Sequence, residues 1–117
     1  MKTHKDLDVW VKSMEFVTRV YEKTASFPTH ELYGISSQIR RATVSIPLNL
    51  AEGAARNHRR EFFQFVGISI GSASEVETLL IISKNLKYLS DVSYQMMIVD
   101  LERILKMLIA LKKSLSD

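Results

Sequence analysis

Cysteine is missing from all 117 residues, so disulfides and thiolate chemistry are excluded and the redox compartment is left unspecified. No apolar run follows the basic residues of the N-terminal MKTHKDLDVW, so that segment does not read as a secretory signal. No clean membrane-length stretch occurs either. The most apolar segment, 62–82, carries Gln64, Glu75 and Glu77 with several serines, and carboxylates that central argue against a bilayer span. No period-two alternation marks a strand, and there is no internal repeat or low-complexity tract. Proline is limited to Pro28 and Pro47. What these absences leave is a soluble, cytoplasmic, all-α chain. Residues 1–117 are expected to form one domain, large enough for a single core without staples.

What is present is four stretches of helical periodicity. The first begins near Thr3 or Asp6, either of which can cap, and runs to about Ala25. Leu7, Trp10, Val11, Met14, Val17, Val20 and Tyr21 follow the three–four spacing of an amphipathic helix. Pro28, Thr29 and His30 break it. The second stretch covers about Tyr33 to Ala55 with Pro47 inside it, where the ring removes one hydrogen bond and crowds the carbonyl four residues back. Its apolar phase continues past the proline, so a bend near Thr43–Pro47 is expected, with Gly53 ending or loosening the last turns.

The third stretch runs from about Arg59 to Leu86, with Asn57 as a cap. Phe62, Phe65, Val66, Ala73, Val76 and Leu80 form its main stripe, and further apolar residues on two other sides predict a buried helix. Small Gly67, Gly71 and Ser74 recur at a spacing that lets another helix approach closely. The fourth stretch, about Val92 to Leu115, is capped by Ser90 or Asp91. It carries Tyr94, Met97, Leu101, Ile104, Leu105, Leu108, Leu111 and Leu115 as a core stripe. Four helices of similar length joined by short turns predict an antiparallel up-down-up-down bundle.

The second stretch organises the others. At 100° per residue, Gln38, Arg41, Ser45, Asn49 and Glu52 share one polar stripe. Ile35, Ile39, Ala42, Ile46 and Leu50 flank it on one side, and Val44, Leu48, Ala51 and Ala55 on the other. A surface helix of a monomer needs one apolar face. Two faces predict burial from two directions, within the subunit and against another subunit. The polar seam is then expected to hydrogen-bond across a helix–helix or subunit interface and fix its register, with Glu75 available to neutralise a buried Arg41.

Catalytic chemistry finds no support. His4, His30 and His58 fall in the terminus or the turns, and none has the glutamate three residues back that bundle metal sites use. Glu75 and Glu77 are two apart and point in different directions on a helix, and no nucleophile elbow or phosphate loop occurs. The expectation is a non-enzymatic protein with no cofactor and no metal.

Charge is the functional lead. Residues 1–35 balance, 36–60 carry a net of +4, 61–83 a net of −3 and 84–117 a net of +2. Arg56, Arg59 and Arg60, with His58 between them, crowd the turn joining the second and third helices. Arg40 lies on the outer face of the second, and Lys84 and Lys87 form a separate patch at the opposite end. Arginines repeated by a symmetric oligomer would contact phosphates in a sequence-independent, salt-sensitive way. No aromatic is interleaved among them in sequence, so base stacking is not indicated.

ELYGISSQIRRATVSIPLNLAEGAAR (31–56), followed by EFFQFVGISIGSASEVET (61–78), resembles the four-helix-bundle family of proteins encoded in 23S rRNA intervening sequences. The ordered motifs are Q-I-R-R-A, S-I-P-x-N-x-A-E-G and G-S-A-x-E, and the pattern continues through the turn at 86–90 into the fourth helix, covering nearly the whole chain. The related accessory variability protein of diversity-generating retroelements shares the bundle. The resemblance implies a homopentameric ring or barrel of bundles and, for the accessory protein, a basic surface that engages nucleic acid and reverse transcriptase. Gln38, Arg41, Ser45, Asn49, Glu52, Gly71 and Glu75 match family motif positions, and their placement points to assembly.

The expectation for function is a homo-oligomer binding structured RNA or other nucleic acid, RNA or DNA, through Arg56, Arg59 and Arg60, with Arg40, Lys84 and Lys87 auxiliary. The alternative is a protein-interaction scaffold whose partner is another polypeptide, such as a nucleic-acid-processing enzyme. The modest net charge of +3 favours that alternative.

Overall fold

The structure, a computed structural model, describes residues 3–116. Its first turn forms in two steps. The Thr3 hydroxyl accepts from the Lys5 N–H at 3.2 Å while the Thr3 N–H donates to the Asp6 carboxylate at 3.1 Å. This capping box closes a 3-10 turn over His4–Asp6. Extended Leu7 then leads into α1, Asp8–Thr24. α2 spans Ile35–Ala55, α3 spans Arg59–Asn85 and α4 spans Asp91–Ser114, the last capped by the Ser90 hydroxyl on the Ser93 N–H at 3.1 Å. Among the described residues there is no strand. The fold is all-α, four helices packed together.

Paired contacts fix their order. Ser45 and Gly53 of α2 meet Ser72 and Phe65 of α3, and Phe63 and Lys84 of α3 meet Lys112 and Tyr94 of α4. In both pairs one chain number rises as the other falls, so neighbours run antiparallel. α2 and α3 share the deepest contact, α1 lies on α2, α4 lies on α3, and an Arg19–Asp100 ion pair joins α1 to α4. Phe16, Ile39, Ile46, Leu50, Val66, Leu80, Leu101 and Leu108 fill the centre. By length and composition alone α3 could cross a bilayer, yet its stripe from Phe62 to Ser83 is buried in this bundle core.

Several sequence expectations are corrected. The buried side of α1 is Val9, Ser13, Phe16, Val20 and Thr24, whereas Val11, Met14 and Tyr21 are exposed. Ser13 and Thr24 enter the core because each hydroxyl donates back to its own helix, to the Trp10 carbonyl at 2.8 Å and the Val20 carbonyl at 2.7 Å. Polar residues thus occupy the true stripe and rotate the apparent one. Gly53 does not end α2. It is buried, and a Cβ there would stand 2.6 Å from the Phe65 Cβ, so its role is close helix contact. Asn57 does not cap α3. It takes φ 53° in the link after α2, and extended His58 is the N-cap, with no side-chain bond to the first turn. Gly71 has no atom within 4 Å of a Cβ built on it, and Gly67 meets only the end of Lys112, so within the chain no helix backbone uses those small residues. Ile68, Ile81 and Ile82 of α3, and Leu86 just after it, are exposed, so parts of its second and third sides stay open in the single chain, although Leu79 is buried.

Candidate nucleic-acid interface

Three residues, Arg56 to His58, join α2 to α3, and antiparallel packing brings the last turn of α4 to the same end. The three arginines there do different things. Arg56 sits 3.4 Å from Glu52 and 3.6 Å from Glu61, with its guanidinium over the Phe65 ring at 5.2 Å, so its charge is compensated. Arg59 donates from Nε to the Leu115 carbonyl at 3.1 Å, and from a terminal nitrogen to the carbonyls of Ser114 at 2.7 Å and Ser116 at 3.5 Å. Ser114 is the last residue of α4 and Leu115 its C-cap, so Arg59 satisfies carbonyls at and just beyond the helix end and holds that end in place. Arg60 is exposed and makes no ion pair among the described residues.

Two cations join them that the sequence reading overlooked, Lys112 and Lys113 in the last turn of α4. Lys113 is exposed, and Lys112 places its Nζ over the Phe63 ring at 4.7 Å. His58, Arg59, Arg60, Phe63, Gln64, Leu115 and Ser116 line an open cleft of ≈ 560 Å³. A second hollow of ≈ 350 Å³ adjoins it, sharing Phe63 and Ser116 and reaching Lys112 and Lys113. The first N–H groups of α3 open onto this end without a side-chain cap, but the C-terminal ends of α2 and α4 lie beside them, so the helix dipoles offset and the basic side chains set the charge. The missed signal was topological: once the bundle is antiparallel, the end of α4 must lie beside the α2–α3 turn.

The other predicted basic residues stand apart. Arg40 does not face outward. It is half-buried against α1, donating from Nε to the Thr24 hydroxyl at 2.8 Å and from a terminal nitrogen to the Tyr21 carbonyl at 3.4 Å, with its guanidinium 4.7 Å from the centre of the Tyr21 ring. Lys84 lies over Tyr94 at 4.7 Å, and Lys87 takes φ 64° in the turn after α3. At about 1.5 Å per residue of helix, Lys84 is roughly 37 Å from Arg59, several screening lengths away.

The polar seam of α2 follows the α2–α3 groove. Ser45 and Ser72 hydroxyls are 2.8 Å apart, and the Asn49 amide donates to the Ser45 carbonyl at 2.8 Å and hydroxyl at 2.9 Å. Glu52 pairs with Arg56. Gln38, Arg41 and Glu75 are exposed, and no ion pair joins Arg41 to Glu75 among the described residues. Above the seam an apolar face is uncovered: Leu48 is 61% exposed and Ile68, one turn from Ser72, is 50% exposed.

The profile of the family described as 23S rRNA-intervening sequence protein matches residues 5–110. The chain belongs to this family. A crystal structure of a Bacteroides thetaiotaomicron protein of unknown function, from the S23 ribosomal protein family, is similar to it with a TM-score of 0.80 at 28% identity. The similarity covers 90% of this chain and 98% of that one. Among curated proteins none matches. For this intervening-sequence family member the comparisons therefore carry the bundle and its membership, and chemistry has to be argued from the surface.

Proposed function

We propose that this chain is a non-enzymatic, cytoplasmic nucleic-acid-binding protein that self-assembles into a ring, in the expected form a pentamer, and holds structured RNA by its phosphates. One observation carries the reading. Arg60, Lys112 and Lys113, with His58, converge from two helices on one end of the bundle. Lysine and arginine at separate chain positions brought to one concave surface form the electrostatic footprint expected of phosphate contact. Arg56 and Arg59 serve this site indirectly, the first paired to carboxylates and the second fixing the end of α4.

The test is a titration of labelled hairpin RNA over a range of salt concentrations with wild-type protein and an Arg60→Glu/Lys113→Glu double variant. Three cations on three phosphates predict a log–log salt slope of roughly −2 to −3 per bound subunit. The double variant should lose most affinity while keeping its helicity. Binding indifferent to salt, or unchanged in the variant, sinks the proposal.

The scaffold reading is favoured by one feature, the open apolar face around Leu48 and Ile68. Under that reading a polypeptide covers the face and association resists salt.

A further inference from the structure

We infer that the basic cleft is a seat for one unpaired nucleotide of RNA, with the base against Phe63 and Gln64 and the phosphate toward Arg60 and His58. The inference rests on the RNA-binding reading above and names what this end of the bundle recognises beyond charge. The cleft holds ≈ 560 Å³, within the range of about 300–1,000 Å³ that small-molecule sites occupy. Its walls combine an aromatic ring, a carboxamide, an imidazole and two guanidiniums, the complement of a base, its hydrogen-bonding edge and a phosphate. The chain order hides this grouping. Phe63 follows Arg59 by four residues and Arg60 by three, so α3 stacks ring and guanidiniums on one side although no aromatic stands between the arginines in sequence.

Each wall is prepared for the role. Arg59 is held by the carbonyls of Ser114, Leu115 and Ser116 at the end of α4, so the back of the cleft is fixed before anything binds. Lys112 covers the Phe63 ring but does not line this cleft, so the ring offers it a different side. Gln64 is exposed and has no hydrogen bond among the described residues, leaving both its donor and acceptor for a base edge. A base inside a duplex is stacked and paired and cannot enter a concave pocket, whereas an unpaired base in a loop or bulge can. The inferred preference is for looped over fully paired RNA.

The experiment compares, by fluorescence anisotropy at one fixed salt concentration, a hairpin RNA with an unpaired loop and a blunt duplex of equal phosphate number. Wild type, Phe63→Leu, Gln64→Ala and Arg60→Glu proteins are measured, each with its melting temperature. The inference expects wild type to prefer the hairpin, and Phe63→Leu and Gln64→Ala each to weaken hairpin binding about tenfold with duplex binding unchanged. Arg60→Glu should weaken both. If Phe63→Leu also melts early, Gln64→Ala decides, because Gln64 is exposed and outside the core. Hairpin binding unaltered by Gln64→Ala, with both RNAs lost in Arg60→Glu, overturns the nucleotide seat and leaves the phosphate surface standing. Failure of wild type to bind either RNA overturns both.

Discussion

Glu31 joins two turns that lie 57 residues apart in the chain. One carboxylate oxygen accepts the Tyr88 hydroxyl at 2.8 Å and the other accepts the Ile35 N–H at 3.3 Å, so one side chain ties the turn after α3 to the start of α2. The Tyr88 hydroxyl, and after it the Ile35 N–H, hold the Glu31 carboxyl below its ordinary value of 4.5, against a smaller opposing effect of desolvation. A depressed folded value means the ionised form is favoured by folding. Its stabilisation is therefore complete above 4.5 and is lost as pH falls through the lowered value. The same bond raises the Tyr88 hydroxyl above its ordinary 10, so that share is complete below 10 and is lost as pH rises through the raised value. Melting curves of wild type and Glu31→Gln between pH 6 and pH 3 should differ in shape. Wild type should lose stability on the acid side below 4.5, and the variant, already less stable at neutral pH, should show a flatter dependence there. Parallel curves would show that the bond contributes nothing. None of this was legible in the sequence, where Glu31 and Tyr88 stand in separate turns and neither belongs to a periodic stripe.

At the scale of helices, periodicity resolved α2, α3 and α4 closely, because long apolar stripes leave little freedom of phase. α1 was misread where polar Ser13 and Thr24 occupy the core, since a hydroxyl bonded to its own helix is buried at small cost and breaks the pattern that periodicity relies on. Gly53 was legible as a special position but not for the right reason. The motif A-E-G looked like a helix end, while α3 approaches so closely that its Phe65 Cβ and Phe62 ring fill the space a side chain would need. Gly53→Ala should therefore cost about 1–3 kcal/mol in urea unfolding, the usual scale of overpacking. Gly71→Ala, where a Cβ meets nothing within 4 Å, should instead stabilise the isolated chain by about 0.5–1 kcal/mol, through the helix entropy that glycine forfeits. Equal effects at the two sites would mean that close approach of α2 and α3 is not what holds Gly53 in place.

For the whole molecule the open question is what covers the outer face of α2 and α3. Two apolar sides on α2 were readable from the sequence, and the single chain buries only one of them, leaving Leu48 and Ile68 beside the Ser45–Ser72 contact. The basic end was readable in part. Its arginines were evident from local spacing, but Lys112 and Lys113 come from the far end of the chain, and only the antiparallel packing brings them there. Assembly would connect the two features, because copies joined through the apolar face would each present a basic cleft and bind one RNA at high effective concentration. A carboxylate at the centre of such an interface has no partner and a large desolvation cost. Leu48→Glu should then reduce the native mass in light scattering from a multiple of 13.4 kDa to a single copy. Helicity should be retained, because Leu48 is not in the core of its own chain, and hairpin RNA affinity should fall although no cation has changed. If the wild-type protein is itself a single copy, self-assembly is wrong. The apolar face then awaits a different polypeptide, and the scaffold reading becomes the stronger one.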